Sequence, residues 1–196
     1  MKVFLLLVLF IVAFAEAAQS AVIELTALAA YGRSRFADGY SSRQNRYTGS
    51  VEFKFTSISS IQFEYSQTTT KISFPVPTSL CSLLGSSCGS EAITYLDQVY
   101  SFNWIQNLVP SKFIIQPYFK IGGGKLFRRQ TTELTTLGIK QINTENVATG
   151  IAGLGIRIFL TRNMALKGEI ASYVPDFKFA QWKDNQLFST GLSWMF

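Results

Sequence analysis

The last ten residues of the chain, from Leu187 to Phe196, alternate between two kinds of side chain. One set of alternate positions is mostly aromatic and apolar: Phe188, Thr190, Leu192, Trp194 and Phe196. The other is mostly small and polar: Ser189, Gly191, Ser193 and Met195. This period of two is that of a β-strand with two different faces. The chain ends of soluble proteins lie in water and fray. An end as aromatic as this one therefore predicts a terminal strand whose aromatic face is buried and not exposed to water. A soluble sandwich ending on an edge strand is the alternative, but an exposed aromatic edge invites aggregation.

The first residues have the pattern of a secretory signal peptide. Met1 and Lys2 give a positive start, an unbroken apolar run covers residues 3–14, and small residues follow. The run is too short to span a bilayer, which takes about 20 residues. Small residues allow cleavage after Ala17 or after Ser20, and no nearby cysteine could accept a lipid anchor. We therefore predict a signal peptide over residues 1–20 and one exported domain over residues 21–196.

Composition narrows the class of this domain. Charged residues make up 15% of the chain and aromatic residues 14%, whereas soluble domains carry about 25% charged residues. Beyond Phe14, however, no segment offers a long charge-free apolar run. A membrane protein without transmembrane helices must close its backbone hydrogen bonds between strands, so a barrel is the remaining solution.

Eight segments of the mature chain alternate with the period of a strand. They cover residues 22–33, 47–56, 60–68, 94–106, 113–128, 147–160, 164–174 and 187–196. The connections after the even-numbered strands before the last are short, whereas those after the odd-numbered strands are longer and polar. This asymmetry is typical of outer-membrane barrels, which have short periplasmic turns and long external loops. The sequence predicts an all-β fold, an eight-stranded antiparallel up-and-down transmembrane β-barrel.

Two local patterns resemble those of a known family. The terminal pattern Ser189-x-Gly191-x-x-Trp194-x-Phe196 resembles the signal by which bacterial outer-membrane barrels are recognised by their assembly machinery. Pro117-Tyr118-x-x-x-Gly122-x-Gly124 is the most family-like internal piece. Over the whole mature chain, the sequence resembles the small eight-stranded barrels of the OmpA, OmpX and OmpW kind. The resemblance implies a protein of the outer membrane of a Gram-negative-type bacterium, with the assembly machinery as a partner; we expect a monomer.

The predicted luminal face carries nearly balanced charges. Its acids are Glu24, Glu52, Glu64, Asp97 and Glu169, and its bases are Lys54, Lys120, Arg157 and Lys167. The interior of an eight-stranded barrel is only just wide enough for side chains to fill. Opposite charges in that space should pair, because an unpaired buried charge is costly. A salt-bridged plug is the favoured interpretation, and a polar permeation or proton path is the alternative.

Basic residues dominate the predicted outer rim. We place Arg33, Arg35, Arg43, Arg46, Arg128 and Arg129 there, facing the headgroups of the outer leaflet. Arginine suits phosphate oxygens, which in that leaflet belong to lipopolysaccharide. Solvated loop charge without a specific ligand is the open alternative. The signal peptide and the lipid-facing strands argue against nucleic acid as a partner.

The only two cysteines, Cys81 and Cys88, fall in the second long loop. In an oxidising compartment they are expected to form a local disulfide. Two thiols without histidine do not complete a four-ligand zinc set, so we predict no metal site. Apolar residues around the pair favour a lid over the barrel mouth, with an external partner contact as the alternative.

The chain contains no histidine. Outer-membrane barrel enzymes resemble one another in using histidine as a base or an orienting group, so we expect a non-catalytic protein without a cofactor. Two functions remain open. A closed barrel that supports the envelope or surface interactions is implied by the resemblance to the OmpA and OmpX kind. A narrow channel for small or apolar solutes is implied by the OmpW kind, with luminal Leu28, Val99 and Ile151 as support. A soluble periplasmic domain is the outlying alternative.

Overall fold

The chain folds into a closed antiparallel β-barrel, as predicted. The structure is a computed structural model that describes residues 22–35, 41–74, 91–110, 112–134, 139–177 and 186–196. Its strands are β1 (Val22–Arg35), β2 (Ser41–Lys54), β3 (Ser59–Phe74), β4 (Glu91–Asn107), β5 (Ile115–Leu134), β6 (Ile139–Phe159), β7 (Met164–Pro175) and β8 (Gln186–Met195). Each strand pairs with the next along the chain, and β8 pairs with β1 to close the barrel.

Several strands extend further towards the external loops than the sequence predicts. β5 and β6 contain 20 and 21 residues and remain paired up to Leu134 and Ile139. β2 and β3 remain paired up to Ser41 and Ser73. The backbone ladder goes on where the side chains become polar, so the alternation that marks the membrane part is lost while the hydrogen bonds persist. Much of the predicted first, second and third external loops is therefore strand. The periplasmic turns are short, as expected, at residues 55–58, 108–114 and 160–163.

Alternate residues of every strand face outward and form an apolar band. Aromatic rings on neighbouring strands contact one another across this surface, with Phe63 5.1 Å from Phe102 and Tyr65 4.9 Å from Tyr100 between ring centroids. In each pair, the two residues stand directly opposite each other in the β3–β4 ladder. Such a continuous exposed apolar surface is the hallmark of a barrel that faces lipid. Among the described residues there is no helix long and apolar enough to cross a membrane.

Two inward-facing glycines allow neighbouring strands to approach closely. A Cβ at Gly124 on β5 would overlap the carbonyl oxygen of Tyr100 on β4. A Cβ at Gly191 on β8 would overlap the carbonyl oxygen of Ala27 on β1, where the barrel closes. Glycine at these positions therefore lets the sheet coil tightly enough to close.

Candidate functional site

The periplasmic half of the lumen contains a buried ion network around Arg157. This side chain on β6 is fully buried, and its Nη2 donates to both carboxylate oxygens of Glu52 on β2 at 3.1 and 3.0 Å. The same Nη2 lies 3.1 Å from Oε2 of Glu24 on β1. One guanidinium thus joins β6 to the first two strands across the lumen.

Two lysines complete this network. Nζ of Lys167 on β7 lies 3.2 Å from Oε2 of Glu52 and 3.6 Å from Oε1 of Glu24. Nζ of Lys54 lies 2.8 Å from Oε2 of Glu24 and 3.2 Å from Sδ of Met195 at the periplasmic end. The two carboxylates therefore have three cations around them, all largely or fully shielded from solvent.

A second network lies beside the first. Lys120 on β5 is fully buried, and its Nζ lies 2.8 Å from Oε2 of Glu64 on β3 and in direct contact with Oε1 of Glu169 on β7. The hydroxyl of Tyr118 donates to Glu169 at 2.8 Å, and the hydroxyl of Tyr173 donates to Glu64 at 2.9 Å. The two carboxylates share one lysine and each accepts a further hydrogen bond from a tyrosine.

Together the two networks hold four carboxylates and four cations in the lumen. Equal numbers of opposite charges, with added hydrogen bonds, make their burial tolerable. Most of the pairs connect residues far apart in sequence and on strands that are not neighbours, so they brace the barrel from inside. This arrangement is suited to a filled interior, because each charge lies against its partner.

An apolar layer lies further out in the lumen. Val99, Leu126, Ile151 and Tyr173 are buried and pack together in one cluster. Val99 and Ile151, which the sequence offers as support for an apolar solute path, are thus in contact with other side chains. Leu28 is likewise buried. The observed packing favours a closed interior at this level.

Asp97 is placed at the outer mouth of the lumen, apart from the two networks. It receives two hydrogen bonds from Arg128, from Nε at 2.8 Å and from Nη2 at 2.7 Å. The guanidinium of Arg128 also lies 5.8 Å from the ring centroid of Tyr95. The assignment of Arg128 to the lipid-facing rim is therefore corrected, because it shares the inward parity of Lys120 on β5 and is held by a luminal carboxylate.

Arg46 likewise departs from its predicted place on the rim. It is 5% exposed, its Nε donates to Oγ1 of Thr68 at 3.0 Å, and its guanidinium lies 4.4 Å from the ring centroid of Tyr173. The physical reason is strand parity, since Arg46 lies an even number of residues from Glu52 and so faces inward with it. Counting parity outward from Glu52 would have revealed this from the sequence.

The outward-facing charges of the strands form a basic rim. Arg33 stands opposite Arg43, and Arg43 stands opposite Lys71, so three exposed cations occupy adjoining ladder positions on β1, β2 and β3. Exposed Lys125 and Arg129 face outward from β5. For Arg35, the structure gives only the ladder pairing with Ser41. We name Arg33, Arg43, Lys71, Lys125 and Arg129 the basic rim.

The acidic residues of the strands follow the opposite rule. Those whose side chains the structure describes have inward parity: Glu24, Glu52, Glu64, Asp97, Glu145 and Glu169. Glu145 stands opposite Arg128 in the ladder. Among the strand residues with described side chains, therefore, each outward-facing charge is positive. The carboxylates of these residues all have inward parity.

The terminal strand β8 has one face in the lumen and one face outward, and its end is hydrogen-bonded to a turn. Ser189 is buried in the lumen, whereas Trp194 and Phe196 face outward with ring centroids 6.5 Å apart. Asn163 in the turn between β6 and β7 exchanges two hydrogen bonds with Met195. The role of Asn163 could not be predicted from the sequence, since a turn asparagine carries no sign of a long-range partner.

Other predicted features fall outside the described part of the chain. Cys81 and Cys88 are among the residues that the structure does not describe, so their disulfide stays a prediction, as does the signal peptide over residues 1–20. Within the described residues, no group of three metal-binding side chains comes together.

Comparison with known proteins identifies the class. A family model described as an outer membrane protein beta-barrel domain matches residues 4–196. The chain therefore belongs to the outer-membrane β-barrel proteins. No curated protein is significantly similar in sequence.

Solved structures share this fold at low sequence identity. The N-terminal β-barrel domain of Pseudomonas aeruginosa OprF is 14% identical, with a TM-score of 0.51 over 90% of this chain and 97% of that chain. Ail, the attachment invasion locus protein of Yersinia pestis, solved in complex with the heparin analogue sucrose octasulfate, is 10% identical, with a TM-score of 0.50 over 90% of this chain and 97% of that chain. Both similarities concern the fold.

Proposed function

We propose that this protein is a non-catalytic barrel of a Gram-negative-type outer membrane, delivered there by a cleaved signal peptide. Its lumen is closed by the ion networks, and it supports the envelope by binding lipopolysaccharide through the basic rim. The observation that carries the proposal is that the outward-facing strand charges with described side chains are all basic, whereas the luminal carboxylates are matched by luminal cations. The proposed partners are outer-membrane lipid, lipopolysaccharide and, during insertion, the barrel assembly machinery.

The ladder position of the first three rim residues supports an anionic partner. Neighbouring strands are about 4.8 Å apart, so Arg33, Arg43 and Lys71 form a close cationic row. Like charges directly opposite one another destabilise a sheet. Phosphate groups between them would offset this repulsion, and arginine can bind phosphate through two parallel hydrogen bonds.

Two tyrosines support the depth proposed for this row. Tyr31 and Tyr47 face outward and are each 65% exposed. Aromatic girdles of this kind mark the membrane interface. Arg33 lies two residues beyond Tyr31 towards the outside, and Arg43 lies four residues beyond Tyr47. Their position supports a headgroup-level location for the cationic row, where lipopolysaccharide phosphates would lie. The polysulfate in the Ail structure is a polyanion, which is consistent with such a partner for a barrel of this fold.

A binding measurement tests the outer-rim proposal. The refolded mature protein is mixed with purified lipopolysaccharide, and co-purification is compared with the variant R33A/R43A/K71A. We expect the variant to lose most of the retained lipopolysaccharide. The matched control, N45A/T69A/T94A, removes three uncharged polar side chains from outward positions on neighbouring strands and should bind as the wild type does. Equal binding by all three proteins would exclude the basic rim as the site.

The closed lumen is tested separately by conductance in a planar bilayer. The packing of Val99, Leu126 and Ile151 and the pairing of the luminal charges support a silent barrel. Steady single-channel openings that change when Lys120 or Arg157 is replaced would instead support the narrow channel. A heat-dependent gel shift verifies that the barrel is folded before each recording.

A further inference from the structure

The periplasmic end of the barrel carries an unassigned basic cavity. It has a volume of about 650 Å³ and lies between the turn before β5, the turn after β6 and the ends of β1 and β8. Lys54, Lys112 and Arg162 line it, and none of the described lining residues is acidic. Lys54 is paired with Glu24, whereas Lys112 and Arg162 are exposed.

The two exposed cations belong to adjoining turns. The backbone N–H of Phe159 donates to the carbonyl of Ile114 at 2.9 Å, which joins the turn containing Lys112 to the strand end that leads to Arg162. Ile114 is 69% exposed and Leu160 is 59% exposed, and both line the same cavity. Apolar walls beneath two cations are suited to an anionic amphiphile.

A second cavity lies next to the first along β6. It has a volume of about 530 Å³ and is lined mainly by outward-facing residues of β6, β7 and β8, with Leu108, Pro117, Tyr118, Lys167 and Glu169 also in its wall. Ile156, Ile158, Leu166 and Phe188 line it, together with Gly168. Ile158 is followed along β6 by Phe159 and Leu160, which line the basic cavity. The apolar groove and the basic cavity are thus neighbours, with Ile158 on the outer face of β6 and Leu160 two residues further along the chain.

Gly168 creates the space in this groove. It faces outward opposite Ile156 and Thr190, where any other residue would place a side chain. A Cβ at Gly168 would meet the ring of Phe188 at 3.8 Å, an ordinary contact. The position therefore accepts a side chain without displacing the backbone, so the fold does not require the groove.

We propose that these two cavities bind one anionic phospholipid of the periplasmic leaflet. Its phosphate lies between Lys112 and Arg162, and one acyl chain lies in the groove over Gly168. Charge complementarity selects the headgroup, because the charged side chains of the described lining, Lys54, Lys112 and Arg162, are all cationic. The length of β6 from Leu154 to Leu160 spans roughly 20 Å at about 3.3 Å per residue, comparable to an acyl chain. This site is at the opposite end of the barrel from the basic rim.

The test is native mass spectrometry of the full mature barrel released from vesicles. The vesicles contain equal amounts of phosphatidylglycerol and phosphatidylcholine. We expect one phospholipid to remain bound, with phosphatidylglycerol favoured. In K112A/R162A the preference should fall about fivefold for each basic side chain removed. Because both cations are exposed turn residues, this variant should fold normally.

Filling the groove provides the second arm of the test. Gly168→Leu should remove the retained lipid, whereas Gly49→Leu should leave it in place. Gly49 is the matched control because it is also exposed and outward-facing, with no atom within 4 Å of an added Cβ. Equal retention of the two phospholipids by the wild type would overturn the proposal. Retention unchanged in both K112A/R162A and Gly168→Leu would also overturn it. Replacement of the lipid by free fatty acid in the spectra would assign the site to a carboxylate and exclude the phospholipid.

Discussion

Asn163 and Met195 are joined by two hydrogen bonds that run in opposite directions. The N–H of Met195 donates to the backbone carbonyl of Asn163 at 2.8 Å, and the side-chain Nδ2 of Asn163 donates to the carbonyl of Met195 at 2.9 Å. The end of the terminal strand is thereby attached to the turn between β6 and β7. This strand also closes the barrel against β1, so the attachment fixes both of its neighbours in register.

Replacement of Asn163 by alanine should destabilise the closed barrel. The variant keeps the backbone hydrogen bond but loses the one from Nδ2, so we expect a loss of about 1 kcal/mol in the free energy of unfolding. Urea unfolding of the barrel in lipid vesicles, followed by tryptophan fluorescence, measures this change. Asn163→Asp should behave similarly, since an ionised aspartate cannot donate. Asn45→Ala, at an exposed outward position, serves as the control. Stability equal to that of the wild type in both Asn163 variants would refute this role.

Replacement of Arg157 by alanine should lower thermal stability without opening a pore. The variant leaves Glu52 and Glu24 with fewer cations in a buried site, and breaking a buried ion pair typically costs about 3–5 kcal/mol. The temperature of the heat-dependent gel shift and planar-bilayer conductance are the two measurements. Unchanged stability would argue that Arg157 is free for transport.

The Lys120 network should show strong coupling between its members. Lys120→Met leaves Glu64 and Glu169 facing each other without their shared cation and should be strongly destabilising. The triple variant K120M/E64Q/E169Q removes all three charges and should regain most of that loss. Unfolding free energies of the wild type, K120M, E64Q/E169Q and the triple variant give the coupling. If the triple variant is no more stable than K120M, the unpaired carboxylates are not the cause of the loss.

Gly191→Ala should impair closure of the barrel. The added methyl group would overlap the carbonyl oxygen of Ala27 across the β1–β8 seam. We expect a reduced yield of folded barrel on refolding into detergent micelles, scored by the fraction of heat-shifted band. Gly49→Ala adds the same group where no atom lies within 4 Å and should refold like the wild type. A normal yield for Gly191→Ala would show that the seam can spread to admit a side chain.

The sequence predicted the barrel because lipid imposes a strict pattern on strands that cross it. Alternation from Glu24 to Leu28, or from Glu52 to Lys54, follows directly from one face meeting lipid and the other meeting the lumen. The outer parts of β5 and β6 were missed because water imposes no such pattern on either face. The pairing of luminal charges could be anticipated from their balance, but the choice of partners could not.

Arg46 and Arg128 show the limit of arguments from position along the chain. Both lie near the outer ends of strands, where basic residues were expected to face headgroups. Their inward parity gives them luminal contacts instead, with Tyr173 and Asp97 respectively. The link between Asn163 and Met195 depends on how β8 meets a distant turn, and neither residue type indicates it.

The first three strands and strands β5–β7 contribute opposite net charges to the ion networks. Their members on β1, β2 and β3 are three carboxylates and one lysine, whereas those on β5, β6 and β7 are three cations and one carboxylate. Neither group of strands can neutralise itself within a low-dielectric membrane. Strands β1–β3 and β5–β7 therefore carry complementary charges, and each group would hold unpaired charges in the membrane until the barrel closes.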